Sequence, residues 1–139
     1  MKKSIYMGST SIDPQQTAGE IISELVRAGA NSIQTDYENG VVVGLRWVMR
    51  INGHDALFNM PARVKALQRI IRDPAQARRT AWRQLLRWVQ AQNAMIETGM
   101  VQASEVYFAY HVPAGQDQTL FDIAMERQFK ALPAPEKPQ

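Results

Sequence analysis

The sequence predicts an α+β domain: a mostly antiparallel sheet of about four strands, in β-α-β-β-β-α order, covered by helices that include one long helix in the second half. Three observations predict it. Asn39-Gly40 and Asn52-Gly53 separate extended runs rich in β-branched and aromatic residues. Asn-Gly is a strong hairpin signal because a type I′ turn needs positive φ at both central positions. A helical apolar period then runs through residues 75–98 without a breaker. Finally, 139 residues with 45% hydrophobic content suit a single core, since two cores of half that size would each be marginal. Residues 1–132 are therefore read as one domain and the Pro-rich residues 133–139 as a frayed tail.

In chain order, residues 4–12 are apolar at Ile5, Met7 and Ile12 and rich in Ser and Thr, which predicts a first strand ended by Asp13-Pro14. Thr17 and Glu20 have the spacing of a capping box, and Ile21, Ile22, Leu25 and Val26 follow on one helical face as far as Gly29. Residues 32–37, 41–51 and 54–59 form the expected meander. Alternation in its middle strand groups Val41, Val43, Leu45 and Trp47 on one face and Val42, Gly44, Arg46 and Val48 on the other, with Arg46 and Arg50 towards solvent or a partner. Pro61 suits the first turn of a helix with Val64, Leu67, Ile70 and Ile71 as its buried stripe, and Pro74 breaks or kinks that helix. The long helix at 75–98 would span roughly 36 Å at ~1.5 Å per residue. Its apolar face would be Ala81, Trp82, Leu85, Trp88, Val89, Gln92, Met95 and Ile96, with Gly99 as the stop. A short helix is expected at 103–110, a turn at 113–116, and a last helix capped by Thr119 and Asp122 and reaching Leu132.

The net charge of +3 hides its distribution. Residues 1–62 sum to −1, residues 63–87 to +7 and residues 88–139 to −3. The central segment carries Arg63, Lys65, Arg69, Arg72, Arg78, Arg79, Arg83 and Arg87 against Asp73 alone. Arg79, Arg83 and Arg87 fall at i, i+4 and i+8, a row along one side of the long helix. Arginine's planar fork suits phosphate oxygens and stacks on bases. The same row could equally pair with the acidic last third (Glu97, Glu105, Asp117, Asp122, Glu126) inside the fold, or meet an acidic protein surface.

Chemistry is otherwise sparse. His54 and His111 are far apart in sequence and, with no cysteine in the chain, have no thiolate partner. His54 and Asp55 are adjacent just after a turn, as polar turn residues commonly are. Asp36 and Glu38, two apart on a strand, open a hairpin where solvated carboxylates are usual. Trp82 and Trp88 read as core residues and the seven methionines as core filler. No zinc-protease, phosphate-loop, dinucleotide or nucleophile-elbow motif occurs, so neither cofactor nor metal is expected. No run approaches the ~20 apolar residues of a membrane span. The apolar stretch after Lys2 and Lys3 is cut short by Gly8, Ser9, Thr10, Ser11 and Asp13, and the absence of cysteine suits a reducing compartment; a soluble cytoplasmic protein is expected.

Three segments carry a resemblance. Ala81-Trp82-Arg83-Gln84-Leu85-Leu86-Arg87-Trp88 runs on through Gln92, Glu97, Gly99 and Met100 to Glu105-Val106-Tyr107-Phe108 and Tyr110; it is joined by Lys3-Ser4-Ile5-Tyr6-Met7-Gly8-Ser9-Thr10 and by Leu57-Phe58, Met60-Pro61-Ala62-Arg63-Val64. Together they resemble a group of small proteins of phages, prophages and integrative elements, over nearly the whole chain. The resemblance implies a mobile-element context, in which small proteins most often manage DNA or disarm host defences such as CRISPR complexes. The order of strands and long helix also resembles the core of phage single-strand annealing proteins, in topology only.

The leading expectation is thus a non-enzymatic accessory protein binding nucleic acid through Arg72, Arg78, Arg79, Arg83 and Arg87, with Arg46 and Arg50 as further contacts. The alternative is a host-targeting inhibitor, anti-CRISPR-like, that binds a protein or ribonucleoprotein; an enzyme of unrecognised type stands third. No membrane partner is expected.

Overall fold

Two tight hairpins organise the chain. The computed structural model describes residues 4–130. Strands β1 (Ala30–Glu38), β2 (Val41–Ile51) and β3 (His54–Pro61) form an antiparallel meander, and a two-residue β4 (His111–Val112) pairs with β3, giving a four-stranded sheet in the order β1-β2-β3-β4. Both turns have the backbone the Asn-Gly pairs demand: φ is 52° and 76° at Asn39 and Gly40, and 51° and 81° at Asn52 and Gly53.

The alternation of β2 breaks in its first half. Asp36 pairs with Gly44 but Tyr37 with Val42, so an extra residue bulges out at Val43. Val42, Leu45, Trp47 and Met49 consequently reach the core, while Val41 and Val43 leave the face shared by Leu45 and Trp47. Gly44 is required there: a Cβ would lie 3.0 Å from the Met60 carbonyl oxygen and 3.3 Å from Pro61 Cα.

Helices α1 (Pro14–Arg27) and α3 (Pro74–Glu97) lie side by side over this inner face. Ile21 and Leu25 of α1, Trp82, Leu86 and Val89 of α3, and Trp47, Phe58 and Met60 of the sheet are all buried. Trp47 stacks on Phe58 at 5.6 Å and meets Tyr107 edge-on at 5.3 Å; Trp88, partly buried, meets Tyr107 and Tyr110 edge-on at 5.6 and 6.0 Å. Both helices begin with an Asp-Pro pair. Asp13 and Asp73 accept from the N–H of Gln15 and Ala75, and Pro14 and Pro74 occupy first-turn positions where no N–H is needed. The true cap of α1 is therefore Asp13 rather than Thr17, which is buried, and of the two expectations for Pro74 the break holds, with Pro74 as the first residue of α3.

Four expected elements change. Residues 4–12 form no strand. They fold through a turn at Met7 (φ 57°), and their carbonyls are taken by side chains of α3 in place of a neighbouring strand. Gln84 Nε2 donates to the Tyr6 oxygen (3.0 Å), Thr80 Oγ1 to Met7 (3.1 Å), and Gln76 Nε2 to Gly8 and Thr10 (3.1 and 3.0 Å). β4 supplies the fourth strand instead. The helix after Pro61 is a single turn, α2 (Val64–Leu67), because β3 continues through Pro61; Ile70 is left 67% exposed, outside any buried stripe. The segment 103–110 divides into α4 (Ala103–Val106) and a 3-10 turn at Phe108–Tyr110. Helix α5 (Leu120–Glu126) has the predicted Thr119–Asp122 capping box but stops at Glu126; Leu132 and the tail lie outside the described residues. No helix among those described is long and apolar enough to cross a membrane.

Candidate nucleic-acid interface

The basic segment divides into two groups. In the first, Arg79, Arg83 and Arg87 form the expected row on α3, but the row faces inward across the N-terminal segment and α1. Arg79 Nε donates to the Thr10 carbonyl at 3.2 Å, and its Nη2 to Gln76 Oε1 at 2.7 Å. Arg83 is the most committed, its side chain only 15% exposed: Nη1 pairs with Glu20 and donates to Thr17 Oγ1 at 3.4 Å. Arg87 lies over the Tyr6 ring, 4.3 Å from its centroid, although it is otherwise exposed. This row clasps the N-terminal residues to α3.

Among the described residues the acidic last third makes no ion pair with the row. Glu97 pairs with Arg27, Glu105 and Asp122 cap α4 and α5, and Glu126 accepts from Gln118 at 2.9 Å.

The second group sits at the corner from α2 to the start of α3. Lys65, Arg69 and Arg72 are exposed, Arg78 is half-buried, and none has an ion-pair partner among the described residues. Arg63, also exposed, lies over Phe121 at 5.0 Å. This group lies on the one-turn α2, the irregular link behind it and the start of α3, where Asp73 caps the helix. Arg78 and Arg79 also line a polar cavity of about 340 Å³ with Ser11, Asp13, Gln15 and Gly40. Sequence periodicity favoured the helical row and undervalued Lys65 and Arg69, which belong to no long helix.

Arg46 and Arg50 project from the sheet face opposite the helices, but each is matched. Arg46 Nε donates to Asp36 Oδ2 at 2.8 Å, and that carboxylate raises the Arg46 pKa above its ordinary value. Arg50 lies opposite Asp55 in the β2–β3 register, 3.2 Å from its oxygen, with both side chains more than 60% exposed. These pairs leave the outer face without excess charge.

Comparison with known protein families, curated proteins and solved structures gives no match.

The two histidines, distant in sequence, are brought to one groove of about 490 Å³ along β3 and β4, lined also by Asp55, Leu57, Phe108 and Val112. His111 Nδ1 is 3.0 Å from the Leu57 carbonyl oxygen, which suits a ring N–H donating there. Among the described residues no group of three or more His, Cys, Asp or Glu could hold a metal ion. The groove has largely apolar walls, and Phe108 at its side is 62% exposed. A second apolar cavity, about 390 Å³, lies between α2 and α3 against Leu67, Leu85, Trp88 and Tyr110, with Arg63 at its rim.

Proposed function

We propose that this protein binds nucleic acid without catalysis, through the phosphate backbone, using Lys65, Arg69, Arg72 and Arg78 at the α2–α3 corner. The observation that carries the reading is that these cations follow one another along the α2–α3 link, three of them exposed and none ion-paired among the described residues, while Arg79 and Arg83 of the neighbouring row are taken up by internal contacts. Exposed cations without an ion-pair partner suit phosphate oxygens. The role we assign is that of an accessory protein of a mobile genetic element, supported by the resemblance of residues 3–10, 57–64 and 81–110 to small phage and integrative-element proteins. Fluorescence anisotropy with single- and double-stranded DNA and RNA at two salt concentrations tests it. Binding should weaken steeply with salt, with a slope of log affinity against log salt near −0.7 per phosphate contact on single strands and about −0.9 on duplex. No binding at ~50 mM salt, where such contacts are strongest, contradicts the reading.

A second reading, capture of a host protein or ribonucleoprotein, is favoured by one observation: the groove along β3 and β4 presents exposed Phe108 and Leu57. Phe108→Ala should then abolish capture of that host target while leaving oligonucleotide affinity unchanged, and the reading fails if no host protein is retained above the level of the variant.

A further inference from the structure

Strand β1 ends the sheet, and its outer edge has no strand partner among the described residues. The direction of its peptide groups follows from the ladder. The two-residue turn at Asn52-Gly53 makes Ile51 and His54 a bonded pair, so Met49, Trp47 and Leu45 bond to β3, while Val48 and Arg46 bond to β1. Their partners Ser32 and Gln34 therefore turn their N–H and C=O groups to β2, and Ile33 and Thr35 turn theirs outward. Tyr37, next to the Glu38–Val41 pair that flanks the other turn, also faces out.

Such an edge invites pairing, and sheets usually guard it with lysine, proline or a mid-strand bulge. β1 has no lysine and no proline; its own extra residue, Asn31, stands at its beginning, and the bulge opposite Asp36 and Tyr37 puts its extra residue, Val43, on β2 and not on the edge strand. The flank of α1 above this edge is apolar and small. Thr17, Glu20, Glu24 and Arg27 face α3 through their bonds to Arg83, Asn93 and Glu97, so Gln15, Gly19, Ile22 and Val26 lie on the opposite side. The Tyr37 hydroxyl donating to Gln15 at 2.9 Å confirms this placement. Val26 and Tyr37 are left 56% and 54% exposed beside the open strand.

We propose that the edge of β1 pairs antiparallel with the same edge of a second copy, around a twofold axis at Thr35, forming a continuous eight-stranded sheet. The run 32–38 is symmetric about Thr35 and self-complementary in this register. Ile33 meets Tyr37 of the second copy, Gln34 meets Asp36, Ser32 meets Glu38, and no like charges oppose. The outward peptide groups of Ile33, Thr35 and Tyr37 then all find partners. Moving the axis one or two residues towards the hairpin would set Asp36 against itself or against Glu38. On the helical side Gly19 lets the two α1 helices approach closely, and Val26 is covered.

Sedimentation equilibrium of the full chain tests the proposal, together with amide hydrogen exchange. The expected particle has twice the 15.7 kDa chain mass. The Ile33 and Thr35 amides, which no strand within one copy protects, should exchange slowly, and faster on dilution. Thr35→Pro removes only an outward N–H, so it should leave the circular dichroism spectrum unchanged and halve the mass. If that variant does not fold, Val26→Glu, on an exposed helix flank, should halve the mass instead. A monomer at the highest soluble concentration, fast exchange at Ile33 and Thr35, or a dimer that survives the folded variant overturns the proposal.

Discussion

Two sets of three arginines, close in sequence, differ in what surrounds them. Arg79, Arg83 and Arg87 sit on the regular helix α3 and face the N-terminal segment, where carbonyls, a hydroxyl, a carboxylate and an aromatic ring receive them. Arg69 and Arg72 sit on the irregular link and Arg78 near the start of α3, and none has an ion-pair partner among the described residues. The difference shows that periodic spacing on a helix measures coherence of direction, not availability to a ligand. A row of cations all pointing one way is as well suited to clasping a neighbouring segment as to meeting phosphate.

The comparison predicts a graded series. The largest effect is expected at Arg83, whose loss removes charge-assisted bonds to Glu20 and Thr17 at a mostly buried site. Arg83→Ala should destabilise by about 1.5–3 kcal/mol, read as a lower urea midpoint with an unchanged slope. Arg79→Gln should cost about 1 kcal/mol through the lost bond to the Thr10 carbonyl, and should speed amide exchange at the start of the chain more than in the sheet. Arg87→Gln loses only a cation–ring contact at an exposed position, about 0.5–1 kcal/mol. Arg69→Gln, Arg72→Gln and Arg78→Gln should each stay within about 0.5 kcal/mol of the parent, since single surface changes away from specific contacts rarely exceed that. If the corner triple proves as destabilising as Arg83→Ala, the division between clasp and interface collapses.

The smallest effect at neutral pH is expected at Tyr107, in neither set. Its hydroxyl is buried without a hydrogen-bond partner among the described residues, so Tyr107→Phe should be nearly silent there. Burial, and next the negative charge of Glu24, hold its pKa well above the ordinary 10.0. The unfolded chain then ionises first, so stability should fall as pH rises above about 10.0, and Tyr107→Phe should lessen that fall. Thermal melts of both proteins at pH 8 and above 10 check this.

How much of this was legible in the sequence depends on the range of the signal. The meander was legible because its two turns are local and Asn39-Gly40 and Asn52-Gly53 dictate their backbone. The Asp-Pro starts of α1 and α3 were equally local, although the Thr17–Glu20 spacing masked the first. The bulge at Val43 was not legible, since it depends on how β2 fits β1 and on the close approach of Met60 to Gly44. Residues 4–12 looked like a strand because alternation and β propensity describe a side-chain pattern, whereas the actual partners, Gln76, Thr80 and Gln84, lie some seventy positions away. The basic segment was legible as a concentration of charge; which cations are consumed internally follows only from the packing of α1 and the N-terminal segment on α3.

The salt dependence of oligonucleotide binding tests the central claim most directly, compared among the parent protein, the Arg69→Gln, Arg72→Gln, Arg78→Gln triple variant, and Arg87→Gln. The account predicts that the triple variant flattens the slope by roughly two to three phosphate contacts, near −0.7 to −0.9 each, while Arg87→Gln changes it by less than about one. A triple variant with the parent's slope, or an Arg87→Gln slope as flat as the triple's, would contradict it.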